Sequence, residues 1–302
     1  MTKVLIADSL DREALEQLKA IPGFEVTVKT GLDEAALVGT IPGFNAVVVR
    51  GATKITRPVI EAGTDLRIIV RAGIGLDNVD AAAAKEKKIA VANTPAATSI
   101  SVAEHTFGLM LGAVRNHGRA VVSMKQHKWE KKALEGTELY GKTLGIIGCG
   151  RIGIEVARRA VAFGMKVLAY DVIPIKTDLA VTQVPMDELL AKSDLITLHI
   201  PKQPQPVVGA AEILKMKDGV IIVNVARGGV VDEKALLDSL NSGKVRAAAL
   251  DVYSKEPPDD FALIDHPNVT PIPHLGAAAK EGQQRAGLEV VKILKERLSS
   301  SG

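Results

Sequence analysis

Short apolar runs recur along the chain, separated by stretches whose apolar positions repeat at helical spacing. Val4-Leu5-Ile6-Ala7, Glu25-Val26-Thr27-Val28, Ala46-Val47-Val48-Val49, Arg67-Ile68-Ile69-Val70 and Ile89-Ala90-Val91 read as strands. Between them, Asp11 to Ala20, Asp33 to Val38, Arg57 to Ala62 and Val79 to Lys85 carry helical patterns, with Leu15 and Leu18 on one side of the first. Near-continuous apolar strands are covered on both faces, and their alternation with helices predicts a parallel sheet between two helical layers.

The pattern changes after residue 92. Asn93-Thr94-Pro95 is extended, because the residue before a proline is held out of the helical region. A long helix is predicted from about Ser101 to Ala120, with Pro95 as the stop and Ser99 or Ser101 as the cap. A further helical passage, Val121 to Leu134, sets Lys125, Lys128, Lys131 and Lys132 around Trp129 and reads as a basic surface arm. The βα alternation then resumes, with strands expected at Thr143–Ile147, Lys166–Tyr170, Leu195–His199, Val220–Asn224, Ala247–Leu250 and Val269–Ile272. Asp232 is placed to cap a helix over Glu233–Leu240, and a last helix runs from about Ala279 to Leu298. The chain therefore reads as an α/β protein of two doubly wound parallel-sheet domains, and its 302 residues agree with that number.

One stretch adds chemistry to this pattern. The strand Thr143–Ile147 runs into Gly148-Cys149-Gly150-Arg151-Ile152-Gly153 and then into a helix. Glycine at 148 permits the tight turn, glycine at 150 lets a pyrophosphate approach the backbone, and glycine at 153 lets helix and sheet pack closely. The free N–H groups of the helix start then face an anion. The next strand ends at Asp171, close to the roughly 20-residue spacing expected of a ribose-binding acid. A carboxylate there accepts from both ribose hydroxyls and repels a 2′-phosphate, so the cofactor expected is NAD.

Composition narrows the remaining possibilities. The hydrophobic fraction of 47% suffices for large cores, and an aromatic fraction of 3% makes them aliphatic. The net charge of +3 is interspersed, with no basic run of the kind that marks a nucleic-acid or membrane partner. Asp8 interrupts the first apolar run too early for a signal peptide, and no run reaches membrane-spanning length. The single cysteine, Cys149, fits a reducing cytoplasm and is given no redox role. No His/Cys set has metal-ligand spacing, so no metal is expected.

Ligands of open α/β sheets bind beyond the carboxyl ends of the strands. Arg50 and Arg71 follow two strands of the first domain; singly each is a solvated charge, but the pair suits an anionic ligand. In the second domain Arg227, Glu256 and His274 stand after strands. Hydride transfer from a hydroxy acid needs a cation for the carboxylate, a group titrating near neutrality for the hydroxyl proton, and an acid to tune that group. Arg227, His274 and Glu256 match these needs in turn. Of the other histidines, His105, His117 and His127 lie in helical stretches and read as structural or exposed, His266 sits in a loop, and His199 ends a strand where it packs.

Five stretches together resemble the D-isomer-specific 2-hydroxyacid dehydrogenases: Arg71-Ala72-Gly73-Ile74-Gly75-Leu76-Asp77-Asn78-Val79-Asp80, Gly148–Gly153 with Asp171, Asn224–Asp232, Leu250–Pro258 and Pro273–Ala277. Within that family the chain is most similar to the branch that oxidises 3-phospho-D-glycerate to 3-phosphooxypyruvate with NAD, at the start of phosphorylated serine synthesis. The resemblance implies a Rossmann NAD domain, residues 96–278, inserted in a smaller flavodoxin-like substrate domain, residues 1–95 plus 279–302. It implies Arg227, Glu256 and His274 as catalytic residues. For the cofactor it implies Gly148, Gly150, Arg151, Ile152, Gly153, Asp171, His199, Ile200, Pro201, Val225, Ala226, Arg227, Asp251, His274 and Gly276. For the substrate it implies Arg50, Arg71, Ala72, Gly73, Asn93, Lys131, Arg227 and His274. It also implies a homodimer through the NAD domain, with the Ser101–Leu134 region in the interface. The chain departs from that branch at Ala96-Ala97-Thr98, where Asn-Gly-Asn is frequent, at Ile74 for Thr, at Lys131 for Arg, and at Ala277-Ala278-Ala279 for Ala-Ser-Thr. No regulatory domain is expected after Leu298. A glyoxylate or hydroxypyruvate reductase is the alternative with the same chemistry, and an NAD-sensing corepressor-like binding protein ranks below both.

Overall fold

The computed structural model describes residues 1–298; the last four residues of the expected 279–302 segment lie outside the described residues. The chain forms two compact units, one of Met1–Ser99 together with the stretch from Ala277 onward, the other of Ile100–Gly276.

The first unit alternates β1 (Thr2–Ile6), α1 (Arg12–Lys19), β2 (Phe24–Val28), α2 (Glu34–Thr40), β3 (Ala46–Val49), α3 (Arg57–Ala62), β4 (Ile68–Arg71), α4 (Ala81–Glu86) and β5 (Ala90–Asn93). All pairings are parallel, in the order β2-β1-β3-β4-β5. The apolar runs are continuous because successive side chains feed opposite cores. Leu5, Val47, Val49 and Ile69 pack with Leu37, Ile41, Val59, Ile60 and Ala84 on one face. Val4, Ile6, Val48, Ile68 and Val70 pack on the other face with Leu18, Ala286, Val290 and Leu294 from the two ends of the chain. Asp11, Asp33 and Asp80 cap α1, α2 and α4 through their carboxylates.

The second unit opens with α5 (Ser99–Val114) and α6 (His117–Lys125). Then come β6 (Thr143–Ile147), α7 (Arg151–Ala162), β7 (Lys166–Tyr170), β8 (Val181–Gln183), α8 (Met186–Lys192), β9 (Leu195–Leu198), α9 (Ala210–Lys215), β10 (Val220–Asn224), α10 (Glu233–Ser242), β11 (Val245–Leu250) and β12 (Val269–Pro271). The closing helix α11 (Lys280–Leu298) belongs to the first unit. The seven strands are parallel, ordered β12-β11-β10-β9-β6-β7-β8. The order reverses between β6 and β9, as in a dinucleotide-binding sheet. Leu144, Ile146, Val167, Ile221 and Ala249 face α5 and α7, whereas Ile147, Ile196, Leu198, Ile222 and Leu250 face α8, α9 and α10.

Two expectations are corrected. The long helix to Ala120 breaks at Asn116, which is left-handed at φ 55° and donates to the Leu134 and Glu135 carbonyls. The Thr137 N–H reaches back to the Val114 carbonyl, so the returning chain terminates α5. The passage Val121–Leu134 is correspondingly not one helix: α6 stops at Lys125 and a 3-10 turn occupies Lys131–Leu134. The edge strand β8 has no counterpart in the sequence reading, because three half-polar residues carry too little pattern. Among the described residues no helix is long and apolar enough to cross a membrane.

Candidate active site

The glycine turn leaves β6 at the point where the strand order reverses. Gly148 has φ 89°, and a Cβ there would lie 2.6 Å from the His199 carbonyl oxygen after β9, so only glycine fits. A Cβ at Gly153 would collide with the Gly148 carbonyl, which seats α7 directly on the turn. A Cβ at Gly150 would meet nothing within 4 Å: the space over the start of α7 is open. Asp171, just past β7, accepts from the Cys149 N–H at 2.8 Å and the Ile173 N–H at 3.3 Å. Burial, and then the Asp171 charge, push the Cys149 thiol up to about 11, so it stays protonated and unreactive at neutral pH.

His199 is half-buried, with Nε2 3.0 Å from Thr197 Oγ1 and a buried Nδ1 without a hydrogen-bond partner. Burial lowers its pKa to about 3, so it is a neutral packing group. Its carbonyl, with Ile200 and Pro201, forms the wall opposite the glycine turn.

After β10 the chain turns through Val225, Ala226 and Arg227. The buried Asn224 side chain pins that turn, accepting from the Ala226 N–H at 3.1 Å and donating to the Arg227 carbonyl at 3.0 Å. Arg227 Nη1 donates to the Ala226 carbonyl at 2.7 Å. Gly228, readable in sequence as a flexible turn, is the opposite: a Cβ there would run into the Tyr253 carbonyl. The turns after β10 and β11 are thus pressed together. Tyr253 in turn donates its N–H to Glu256 Oε1 at 3.1 Å, while Glu256 Oε2 lies 2.7 Å from His274 Nδ1. An ionised carboxylate only accepts, so Nδ1 carries the proton and Nε2 is left for other chemistry.

His274 follows β12 and is left-handed at φ 53°. The next two N–H groups, of Leu275 and Gly276, donate to Asp251 Oδ1 and Oδ2 at 2.7 and 2.8 Å. Asp251 is completely buried and also lies 3.1 Å from His105 Nε2. Gly276 is tight: a Cβ there would come within 3.0 Å of both Asp251 Oδ2 and Val225 Cγ1.

Every residue expected at the cofactor thus follows β6, β7, β9, β10, β11 or β12, all at the carboxyl edge of one sheet. The expected substrate residues of the first unit share the same edge of the other sheet: Arg50 after β3, Arg71 ending β4, Ala72 and Gly73 beyond it, Asn93 ending β5. That sheet reverses order between β1 and β3, where Asp8 accepts from the Arg50 and Thr53 N–H groups at 2.6 and 3.2 Å. Asn78 clasps the same loop through the Arg50 and Thr53 carbonyls at 2.9 and 2.6 Å. The Arg50 guanidinium has no hydrogen bond or ion pair among the described residues. Gly73, at φ 150°, leaves room for the Arg71 side chain that lies against it, and Asn93 donates to the Ile74 carbonyl at 2.6 Å. Lys131 is the exception: it starts the 3-10 turn and lies at no strand end. Asp8 and Asn224 carry no signal of these contacts in the sequence, because a polar residue that acts through backbone atoms leaves no spacing to read, and His105 reads there as structural or exposed.

A parallel sheet with a glycine turn at its reversal point and a His–carboxylate pair on the same edge defines a dinucleotide-dependent oxidoreductase. Residues 107–276 match the family described as D-isomer specific 2-hydroxyacid dehydrogenase, NAD binding domain. The chain is 52% identical over 300 residues to a hydroxypyruvate reductase of Thermotoga maritima, covering 97% of this chain and 98% of that relative. It is 47% identical to a D-3-phosphoglycerate dehydrogenase of Methanocaldococcus jannaschii, covering 99% of this chain and 58% of that longer relative. Among solved structures, a D-lactate dehydrogenase from Aquifex aeolicus, complexed with NAD and lactic acid, superposes with a TM-score of 0.85 at 31% identity over 98% of this chain and 95% of that one. The chain belongs to the D-isomer-specific 2-hydroxyacid dehydrogenase family and is an NAD-dependent oxidoreductase. The open space over Gly150, the twelve-residue helix α7 behind it and the carboxylate of Asp171 fit that cofactor.

Proposed function

We propose that the chain oxidises 3-phospho-D-glycerate to 3-phosphooxypyruvate. The observation that carries this reading is Arg50: a cation whose backbone is pinned on both sides by Asp8 and Asn78, and whose guanidinium is not engaged. An unsatisfied guanidinium on a pinned backbone at a strand-order reversal is suited to a phosphate. In this reading Arg50, Arg71 and Lys131 hold the phosphate, and Ala72, Gly73 and Asn93 shape its loop. Arg227 binds the carboxylate and polarises the oxygen on C2. NAD, when bound, supplies the hydride acceptor. His274 takes the hydroxyl proton on Nε2 while Glu256 holds the imidazole by Nδ1 and stabilises the imidazolium that forms. The turn Gly148–Gly153 with Asp171, His199–Pro201, Val225–Arg227, Asp251 and His274–Gly276 surround the cofactor.

A second reading, reduction of hydroxypyruvate or glyoxylate, is favoured by the identity to the Thermotoga maritima relative and by Ala96-Ala97-Thr98 and Lys131. Steady-state rates with NAD and NADP on phosphoglycerate and D-glycerate, and with NADH and NADPH on hydroxypyruvate and glyoxylate, separate the two. Under the first reading Arg50→Gln raises KM for phosphoglycerate by about tenfold or more and leaves glyoxylate unaffected. Equal effects on both substrates favour the second.

We also propose that the protein is a homodimer through the second unit. Val121, Val122, Met124 and Trp129 are each more than half exposed, an apolar surface suited to a second copy. Sedimentation at micromolar concentration checks this, and a monomer refutes it.

A further inference from the structure

We propose that His105 is a positioning residue for catalysis, acting through Asp251 on the turn that carries His274. This rests on the reading of His274 as the proton carrier. His274 is left-handed at φ 53°, a conformation unfavourable for a residue with a side chain. Such a backbone persists only where its surroundings over-determine it. Here the backbone beyond it is held by one carboxylate. Asp251 receives the N–H groups of Leu275 and Gly276, the two residues directly after His274, and holds both at 2.8 Å or less.

A buried carboxylate clamps a turn only if it is itself fixed and remains ionised. Asp251 is completely buried, and the two backbone bonds give each of its oxygens one donor. His105 supplies the only side-chain partner of that carboxylate among the described residues, Nε2 at 3.1 Å from Oδ1. It does so from the interior of α5, a sixteen-residue helix whose Ala103, Phe107 and Met110 are buried in the core of the second unit. The relay therefore runs from a rigid helix, through one side-chain pair, to the backbone of the catalytic histidine. Glu256 orients the ring of His274; His105 and Asp251 orient its backbone.

The test compares wild type, His105→Leu and His105→Gln. Leucine fills the space without the donor, and glutamine returns an N–H near the place of Nε2. Rates on the hydroxy-acid panel, NADH dissociation constants and thermal midpoints are measured for each. Loss of one hydrogen bond to a charge predicts a fall in kcat of about tenfold in the leucine variant. Its KM and NADH affinity stay within about twofold, and glutamine restores kcat to within about threefold of wild type. The proposal is overturned if the leucine variant keeps full kcat. It is equally overturned if both variants lose kcat together with their thermal midpoints, which is the signature of lost packing. A wild-type protein inactive on the whole panel overturns the functional reading, and this inference with it.

Discussion

His199 makes the protein sensitive to acid in a way that can be calculated. Its Nδ1 is buried, its one side-chain hydrogen bond is to Thr197, and its pKa is lowered to about 3 from an unfolded value of 6.5. Between those values the unfolded chain binds a proton that the folded chain refuses. The stabilisation is therefore fully present above pH 6.5 and is lost as pH falls toward 3. Each pH unit in that window costs up to about 1.4 kcal/mol, and at pH 5 the loss from this group is roughly 2 kcal/mol. For a unit the size of Ile100–Gly276, that lowers the thermal midpoint by about 4–8 °C. The comparison is with His199→Gln, whose amide faces Thr197 but takes no proton. Midpoints are followed by circular dichroism at pH 7.5 and pH 5.0. The wild type is expected to lose several degrees more than the variant on acidification. Parallel losses would refute the assignment of a buried neutral histidine and the reasoning built on it.

Two further outcomes follow from the catalytic turns. Glu256→Gln leaves the geometry nearly intact but no longer stabilises an imidazolium at His274; kcat at pH 7 should fall by about 10²-fold or more with NADH affinity unchanged, measured by steady-state kinetics and fluorescence titration. Gly228→Ala forces the Arg227 turn and the Tyr253 backbone apart by about 1 Å, and displacement on that scale lowers kcat/KM by about 100-fold; a variant with wild-type rates and midpoint would show the packing to be looser than described.

The central strands were legible because burial on both faces leaves no polar position to blur their apolar runs, whereas the edge strand β8, half-polar and partly exposed, was not. The glycine turn was legible because its three positions need glycine for three separate steric reasons. The break of α5 at Asn116 was not. Asn116 interrupts no apolar pattern, and what ends the helix is a contact with Leu134 and Glu135 some twenty positions later. The same limit hid His105, which sits in an ordinary helical stretch, 146 residues from the aspartate it touches. Arg227, Glu256 and His274 stood out because each closes a strand, where chemistry is expected. The groups that hold them do so through backbone atoms, and backbone partners have no signature in residue type.

The first unit is assembled from both ends of the chain, and this bears on the order in which the protein is made. Leu18 and the face of β1 that carries Val4 and Ile6 are covered by Ala286, Val290 and Leu294 of α11. The fit is close: a Cβ on Gly287 would lie 2.6 Å from that of Ala14. The second unit is continuous from Ile100 to Gly276. The part of the first unit that precedes it lacks the cover of Ala286, Val290 and Leu294 over Val4 and Ile6 until α11 has been made. During that interval it is the segment most exposed to aggregation and most in need of a chaperone.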